Sequence, residues 1–387
     1  MQKNRLAKEE IISRLTPIRG FDDRIGLVPR IQRQIEGNMR ALFEKSDYQE
    51  YIPPTLERAE VYGRGVFQDS PWIEGTRTAP KGWEETVNRE FLPITLRSFK
   101  GDAQVRKGDE LAILRPEGTA SLCRHIAKGI VEKNQFPGET NPLKVYYMIS
   151  CFRNEGVENL SSMKRREFNQ IGVEYMGAKG LDADVEAFYL GFEGLKSIVK
   201  ENEIVLRVSD TNIFRELCRR SEFDLGTKIE LKENIDSFSK ARVMGRNAGS
   251  LKNEIERKLN GLPGSLRDKW EMMYTLTGDR SAIEEMETRA KIRLGTLKAF
   301  YSRLKGMGVR VRSDLGMIRG WEYYTGIIGQ FDIETRKKTY AEVGGGGRYD
   351  GLVGNFLDRC GIKKNIPATG FAFGTERLVQ IALEGMK

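Results

Sequence analysis

The chain has 387 residues, with 64 Lys and Arg against 55 Asp and Glu, a formal charge of +9. That length buries a large core with room for more than one domain, the basic excess favours polyanionic partners such as ATP or RNA, and the absence of a span-length apolar run or an apolar leader after Met1-Gln-Lys-Asn-Arg5 reads as cytosolic. One histidine, His125, argues against His-based triads and His-rich metal sites, and the four cysteines, Cys123, Cys151, Cys218 and Cys360, form no Cys-x-x-Cys pair that would indicate zinc or a disulfide framework.

After Pro29, the stripe Ile31, Ile35, Met39 and Leu42 has the spacing of one helix face, and Tyr48 to Ile52 then reads as a strand entering Pro53-Pro54. An apolar stripe leading into such an edge needs covering, which predicts a two-fold homodimer interface over residues 29–54. Leu114-Arg-Pro-Glu-Gly-Thr-Ala120 reads as a loop, followed by a helical stretch in which His125 is a structural or surface residue. The β-branched and aromatic run from Val145 ends in Phe152-Arg-Asn-Glu155, placing a guanidinium and a carboxylate where a strand opens into a loop. Its antiparallel partner, Arg166 to Glu174, puts Gln170, Gly172 and Glu174 on one face and Ile171, Val173 and Tyr175 on the other. The polar face suits a small polar ligand lying close to the backbone.

Asp182 to Lys200 predicts a helix with Val185, Phe188, Phe192, Leu195 and Val199 on one side and Asp182 or Asp184 as its cap, followed by a short strand from Glu203 to Val208. From Ser209 to Lys305 the chain is highly charged and mostly helical, broken at Gly261-Leu-Pro-Gly264, without a candidate catalytic cluster. This divides the chain into a first core part (1–208), a helical insertion (209–305) and a second core part (306–387). Val309 to Arg312 reads as a strand, and Tyr323 to Val343 as a hairpin turning within Glu334 to Lys338. The run Gly344 to Gly347 fits neither a dinucleotide fingerprint nor a P-loop, and is read as a close backbone approach to a ligand rather than a flexible turn. Gly370 to Gly374 is an apolar strand leading into an amphipathic helix with Arg377 in its first turn. A cation is misplaced there for the helix dipole, which suggests a phosphate partner.

The segments at 29–54, 145–174 and 370–378, in that order, resemble the three motifs of class II aminoacyl-tRNA synthetases. Finer detail resembles histidyl-tRNA synthetase: Arg19-Gly-Phe-Asp-Asp23, the 114–120 loop, Gln170-Ile-Gly-Val-Glu174, Arg319-Gly-Trp-Glu-Tyr-Tyr-Thr-Gly326 and Gly346-Gly-Arg-Tyr-Asp-Gly-Leu352. The resemblance implies an α/β fold with a mixed, mostly antiparallel sheet flanked by helices, and ATP-dependent formation of an aminoacyl-adenylate, most naturally of histidine. It implies that Arg153 grips the α-phosphate, Arg377 the distal phosphates, Glu155 the adenine edge and Phe168 its face, with Mg²⁺ bridging phosphates and Arg319 set against the reacting carboxylate. Glu117, Thr119 and Gln170 would hold the ammonium of the amino acid, Glu174 and Tyr324 its imidazole, and Tyr349 would line the pocket.

Three departures accompany the resemblance, the first a loop between Arg153 and Arg166 a few residues longer than the family's. The sequence stops ten residues after Arg377, without the family's C-terminal anticodon-binding domain, and Trp321-Glu322 stands where the family has Leu-Asp. Contact with tRNA would then run through the acceptor arm, with Lys240, Arg242, Arg246, Lys252, Arg257, Lys258, Arg267, Lys269, Arg289 and Arg293 as candidate charges. The rival reading is the non-catalytic, histidine-sensing regulatory subunit of ATP phosphoribosyltransferase, which shares the fold and about this length. Glu117 favours the enzyme, because the paralogue usually carries Arg-Pro-Asp at that place.

Overall fold

Residues 15–59, 61–62, 92–96, 110–133, 137–157, 160–161, 163–318 and 323–386 are described by the computed structural model of the chain. The first apolar stripe folds as α1 (Leu27–Lys45) and buries Ile31, Ile35, Met39 and Phe43. Phe43, one i+4 step beyond Met39, takes the buried place read for Leu42, which packs at the margin. The strand expected over 48–52 shrinks to the two residues of β1 (Gln49–Glu50). There follow β2 (Leu56–Arg58), β3 (Pro93–Leu96), β4 (Glu110–Leu114) and α2 (Thr119–Lys133), then the long pair β5 (Leu143–Phe152) and β6 (Glu167–Met176). After α3 (Leu181–Lys196) comes β7 (Ile204–Asp210), buried along its whole length.

The charged stretch forms α4 (Thr211–Ser221), α5 (Leu225–Val243), α6 (Gly249–Leu259) and α7 (Gly264–Thr275), the two-residue β8 (Thr277–Gly278), α8 (Arg280–Ala290) and α9 (Gly295–Gly306). The chain closes with β9 (Arg310–Asp314), β10 (Ile327–Glu334), β11 (Thr339–Arg348), α10 (Leu352–Leu357), β12 (Ala368–Gly374) and α11 (Thr375–Gly385). The hairpin turn falls where the sequence put it, closed by the Thr335 N–H to Lys338 carbonyl bond of 3.0 Å.

Among the described residues nine strands form one sheet in the order β1-β5-β6-β12-β11-β10-β7-β9-β8, parallel at β1/β5 and β7/β9 and antiparallel elsewhere, and β2-β4-β3 form a second, small antiparallel sheet. The glycine run 344–347 is neither a turn nor a loop. It lies inside β11, between β10 and β12, where a Cβ at Gly346 would come within 1.8 Å of the Gly370 carbonyl oxygen. Its closest approach is to the neighbouring strand, and Gly344 and Gly345 also line a cavity over the sheet.

The helical stretch shares its core with the sheet: Phe300 of α9 meets Phe188 of α3 edge-on at 5.4 Å, and Phe188 in turn meets Phe331 of β10 at 6.1 Å. A buried ionic knot ties the same layers together. Arg207 of β7 holds Asp332 at 2.5 Å and Asp314 at 3.0 Å, and Asp314 also accepts from Ser239 and Arg242 of α5 at 2.7 and 2.6 Å. Neither Asp182 nor Asp184 caps α3, whose N-cap is Gly180. Asp184 is buried and bound to Arg348 at 2.8 Å, and Asp182 faces Arg303, because each finds a cation in a neighbouring element.

Candidate functional site

Strand register sets the ends of the site. Gln170 of β6 stands opposite Gly374 of β12, and Glu174 stands opposite Gly370, so the two polar side chains project from one face about 13 Å apart at the usual strand rise. Over this face opens a cavity of about 630 Å³, bounded by β5, β6, β11 and β12 and by one side of α5. Of the residues singled out from the sequence, Thr119, Arg153, Glu155, Phe168, Gln170, Glu174, Tyr324, Tyr349 and Arg377 all line it. Glu117 does not: it lies beneath the floor. Arg319 falls outside the described residues.

Glu174 is the pivot of one end. Its carboxylate is 2% exposed and accepts from the Thr119 hydroxyl at 2.6 Å, from the Tyr147 hydroxyl at 3.4 Å and from the Tyr349 hydroxyl. Gly370 makes room for it, since a Cβ there would fall 1.9 Å from Glu174 Oε2. Burial pushes its pKa up to about 8, opposed by the hydrogen bonds from Thr119 and Tyr349 and reinforced by the nearby Glu117 carboxylate. Glu117, likewise buried and raised by burial, turns back onto the N–H groups of Thr119 and Ala120 at 2.5 and 2.8 Å. It thus caps the start of α2, and fixes the loop that presents the Thr119 hydroxyl. Among the described residues every donor to Glu174 is neutral. Two buried carboxylates gathered among hydroxyls and aromatic rings are complementary to a small ligand that brings its own positive charge.

The other end holds two guanidinium groups among carboxylates. Arg153, just past the end of β5, lies over the Phe168 ring at 4.9 Å and donates to the Pro116 carbonyl at 3.3 Å. Glu155 pairs with Lys164 at 2.9 Å, and Arg377 enters from the first turn of α11 to donate to the Glu342 carbonyl. A planar, permanently charged fork on either side of the cavity suits phosphate oxygens.

Several lining residues escaped the sequence reading. Tyr147 was legible, because it continues the period-two face of Arg153 and Cys151 along β5. Gln330 donates to the Gly344 carbonyl at 2.7 Å, a contact across two strands that no local pattern announces. Lys232, Asp236 and Lys240 of α5 recur at every fourth residue beside the buried stripe Leu231, Ile235 and Ser239, and line the cavity wall. Lys240, among the candidate RNA contacts, pairs with Asp236 and Glu342 at 2.9 and 3.3 Å. Arg242 is likewise taken by Asp314, and Lys252, Arg257, Lys258 and Arg289 each pair with a glutamate. His125 is exposed on α2, with its ring 5.8 Å from that of Tyr51.

The histidyl-tRNA synthetase family model matches residues 97–378. A histidine–tRNA ligase from Metallosphaera sedula is 29% identical over 93% of this chain and 73% of its own length, and one from Thermococcus kodakarensis 28% over 96% and 75%. An ATP phosphoribosyltransferase regulatory subunit from Moorella thermoacetica is 30% identical over 90% of this chain and 77% of its own. Among solved structures, a Bacillus halodurans protein described as an ATP phosphoribosyltransferase regulatory subunit/histidyl-tRNA synthetase superposes with a TM-score of 0.68 over 95% of this chain and 83% of that one, at 19% identity. Histidyl-tRNA synthetase from Nostoc sp. PCC 7120 gives 0.65 over 96% and 76%, at 18% identity. The architecture is therefore the α/β class II synthetase fold.

Proposed function

Because the chain belongs to the histidyl-tRNA synthetase family, we propose that it activates histidine with ATP to histidyl-adenylate and passes the histidyl group to tRNA or another acceptor. The observation that carries this reading is the polarity of the cavity, with the buried Glu174 among neutral donors at one end and the guanidinium groups of Arg153 and Arg377 at the other. The imidazole and ammonium of histidine supply the positive charge that Glu174 lacks, and an apolar competitor leaves that carboxyl group without a counter-charge. A histidine carboxylate oxygen attacks the α-phosphorus, the bond to the bridging oxygen breaks, and pyrophosphate leaves with the electron pair. No protein nucleophile takes part. Arg153 and Arg377 stabilise phosphate charge, Arg319 is assigned to the carboxylate and α-phosphate, and Glu155 and Phe168 receive the adenine.

Mg²⁺ enters with the phosphates in this reading and supplies charge neutralisation there. Among the described residues no three His, Cys, Asp or Glu side chains converge as a metal cage, and Mg²⁺ needs only one or two carboxylates besides phosphate oxygens, of which Glu376 on the lining would be one. The α1 stripe is covered within the chain and calls for no partner, so a homodimer through α1 and β1 rests on the exposed Leu27, Ile52 and Leu56 beside that edge. A cytoplasmic location accords with the absence, among the described residues, of any helix long and apolar enough to cross a membrane.

The Moorella thermoacetica relative supports a second reading, a histidine-sensing regulatory subunit for ATP phosphoribosyltransferase. Pyrophosphate exchange screened over the twenty amino acids decides between them. Exchange stimulated by histidine alone supports the enzyme; histidine binding without exchange supports the regulatory subunit.

A further inference from the structure

At the phosphate end, two cations from distant parts of the chain converge on one residue. Arg377 of α11 donates to the Glu342 carbonyl, and the Lys240 ammonium of α5 pairs with the Glu342 carboxylate at 3.3 Å. Glu342 is held in place. It is a non-glycine residue at φ 57°, a backbone state that costs about 1 kcal/mol or more and persists only where its surroundings enforce it. The enforcing group is Asp332, which accepts the Glu342 N–H at 2.7 Å and is gripped from behind by Arg207. The buried knot therefore sets where Lys240 and Arg377 stand relative to each other.

Lys240 also pairs with Asp236 one helical turn back, at 2.9 Å. An ordinary i,i+4 pair on a solvated helix face has no third partner, whereas here Lys240, Asp236, Glu342 and Arg377 all face the cavity. Burial works against the Lys240 charge, and the two carboxylates outweigh it and keep the ammonium protonated.

We propose that Lys240 is a polyphosphate-binding residue contributed to the nucleotide site by the helical stretch, exchanging its carboxylate partners for phosphate oxygens when ATP or pyrophosphate enters beside Arg377. The proposal rests on the adenylate-forming reading above. Phosphate is the stronger partner for the ammonium, since it carries more charge than one carboxylate and arrives with several acceptor oxygens. Glu342 and Asp236 then act as resident competitors that hold the lysine in the cavity.

The test is calorimetric binding of inorganic tripolyphosphate and, separately, of histidine to the whole chain. Lys240→Met should weaken tripolyphosphate roughly tenfold or more, the loss of one charge-assisted hydrogen bond, while histidine affinity stays within about twofold. Lys240→Arg should recover most of the loss, and Glu342→Gln should tighten tripolyphosphate binding by removing a competing carboxylate. If Lys240 is only a tether between α5 and the sheet, Lys240→Met will lower the melting temperature and leave tripolyphosphate affinity unchanged, which overturns the proposal alone. If the wild-type protein binds histidine but takes up neither tripolyphosphate nor ATP, the adenylate-forming reading falls, and the proposal with it.

Discussion

Two clusters of buried acid lie on the same sheet and are solved in opposite ways. Around Asp314 and Asp332 the protein supplies its own cation: Arg207, 1% exposed, bridges both, and Arg242 closes Asp314 from the α5 side. Around Glu174 and Glu117 the bonded partners described are hydroxyls and backbone N–H groups, and the nearby cation, Arg153, acts on Glu117 through its field. Both clusters satisfy their hydrogen bonds, so a count of satisfied groups does not separate them. Charge does. An acid cluster that carries its counter-ion is finished as structure, and one held by neutral donors gains from a cationic ligand.

Replacing Arg207 is the harshest way to break the comparison. Arg207→Met leaves Asp332 buried without its cation and Asp314 with Arg242 alone, and should cost about 3–5 kcal/mol of stability, read from the urea midpoint. Because Asp332 also holds Glu342, the same change should disturb the phosphate end before the histidine end. A loss below about 1 kcal/mol would mean that the knot is not the framework described here.

Glu174→Gln sharpens the contrast from the other side. The amide keeps the shape and some of the hydrogen bonds but cannot neutralise a cation, so histidine affinity should fall roughly a hundredfold while the unliganded fold is hardly changed. The pH dependence has a definite sign. The carboxyl titrates near 8 in the fold against an ordinary value near 4.5, so its protonated form favours the folded state. That contribution is complete below the unfolded value and is lost as pH rises through about 8. The melting temperature of the ligand-free wild type should therefore fall more steeply between pH 5 and pH 8 than that of Glu174→Gln. Parallel curves would mean that Glu174 is ionised in the empty site.

What the sequence could reveal follows the same division between local and distant causes. The β5–β6 pair was legible because its alternation is local: Gln170 and Glu174 face the cavity, while Ile171 and Val173 enter the core as their period of two requires. The α1 stripe and the turn at 335–338 were legible for the same reason. Glycine announces a close approach without saying what makes it: Gly346 meets the neighbouring strand, while Gly344 and Gly345 also line the cavity. Lys240 reads as one more charge on a polar helix until the fold carries α5 to the cavity, and nothing near Arg207 in the sequence shows that Asp314 and Asp332, more than a hundred residues on, will neutralise it. Glu117 was found, but its place beneath the floor follows from the start of α2 rather than from any residue type.

The mildest change removes one neutral donor and leaves both acids in place. Tyr349→Phe deletes the hydroxyl that donates to Glu174 Oε2 and leaves Thr119 and Tyr147 on Oε1. In the empty site the carboxyl carries its proton at neutral pH and needs that donor little, so stability should drop by only about 1 kcal/mol. With histidine bound the carboxylate is ionised, and a hydrogen bond to a charged group is worth more than one to a neutral group. Histidine affinity should therefore fall about tenfold, more than the stability change alone predicts. Losing a donor that favours the ionised form should also raise the pKa of Glu174 further, so the deficit in affinity should narrow as pH is raised from 7 to 9. Calorimetry across that range reads both quantities. A deficit constant with pH would assign the Tyr349 hydroxyl to packing alone, and would leave Thr119 as the donor that matters.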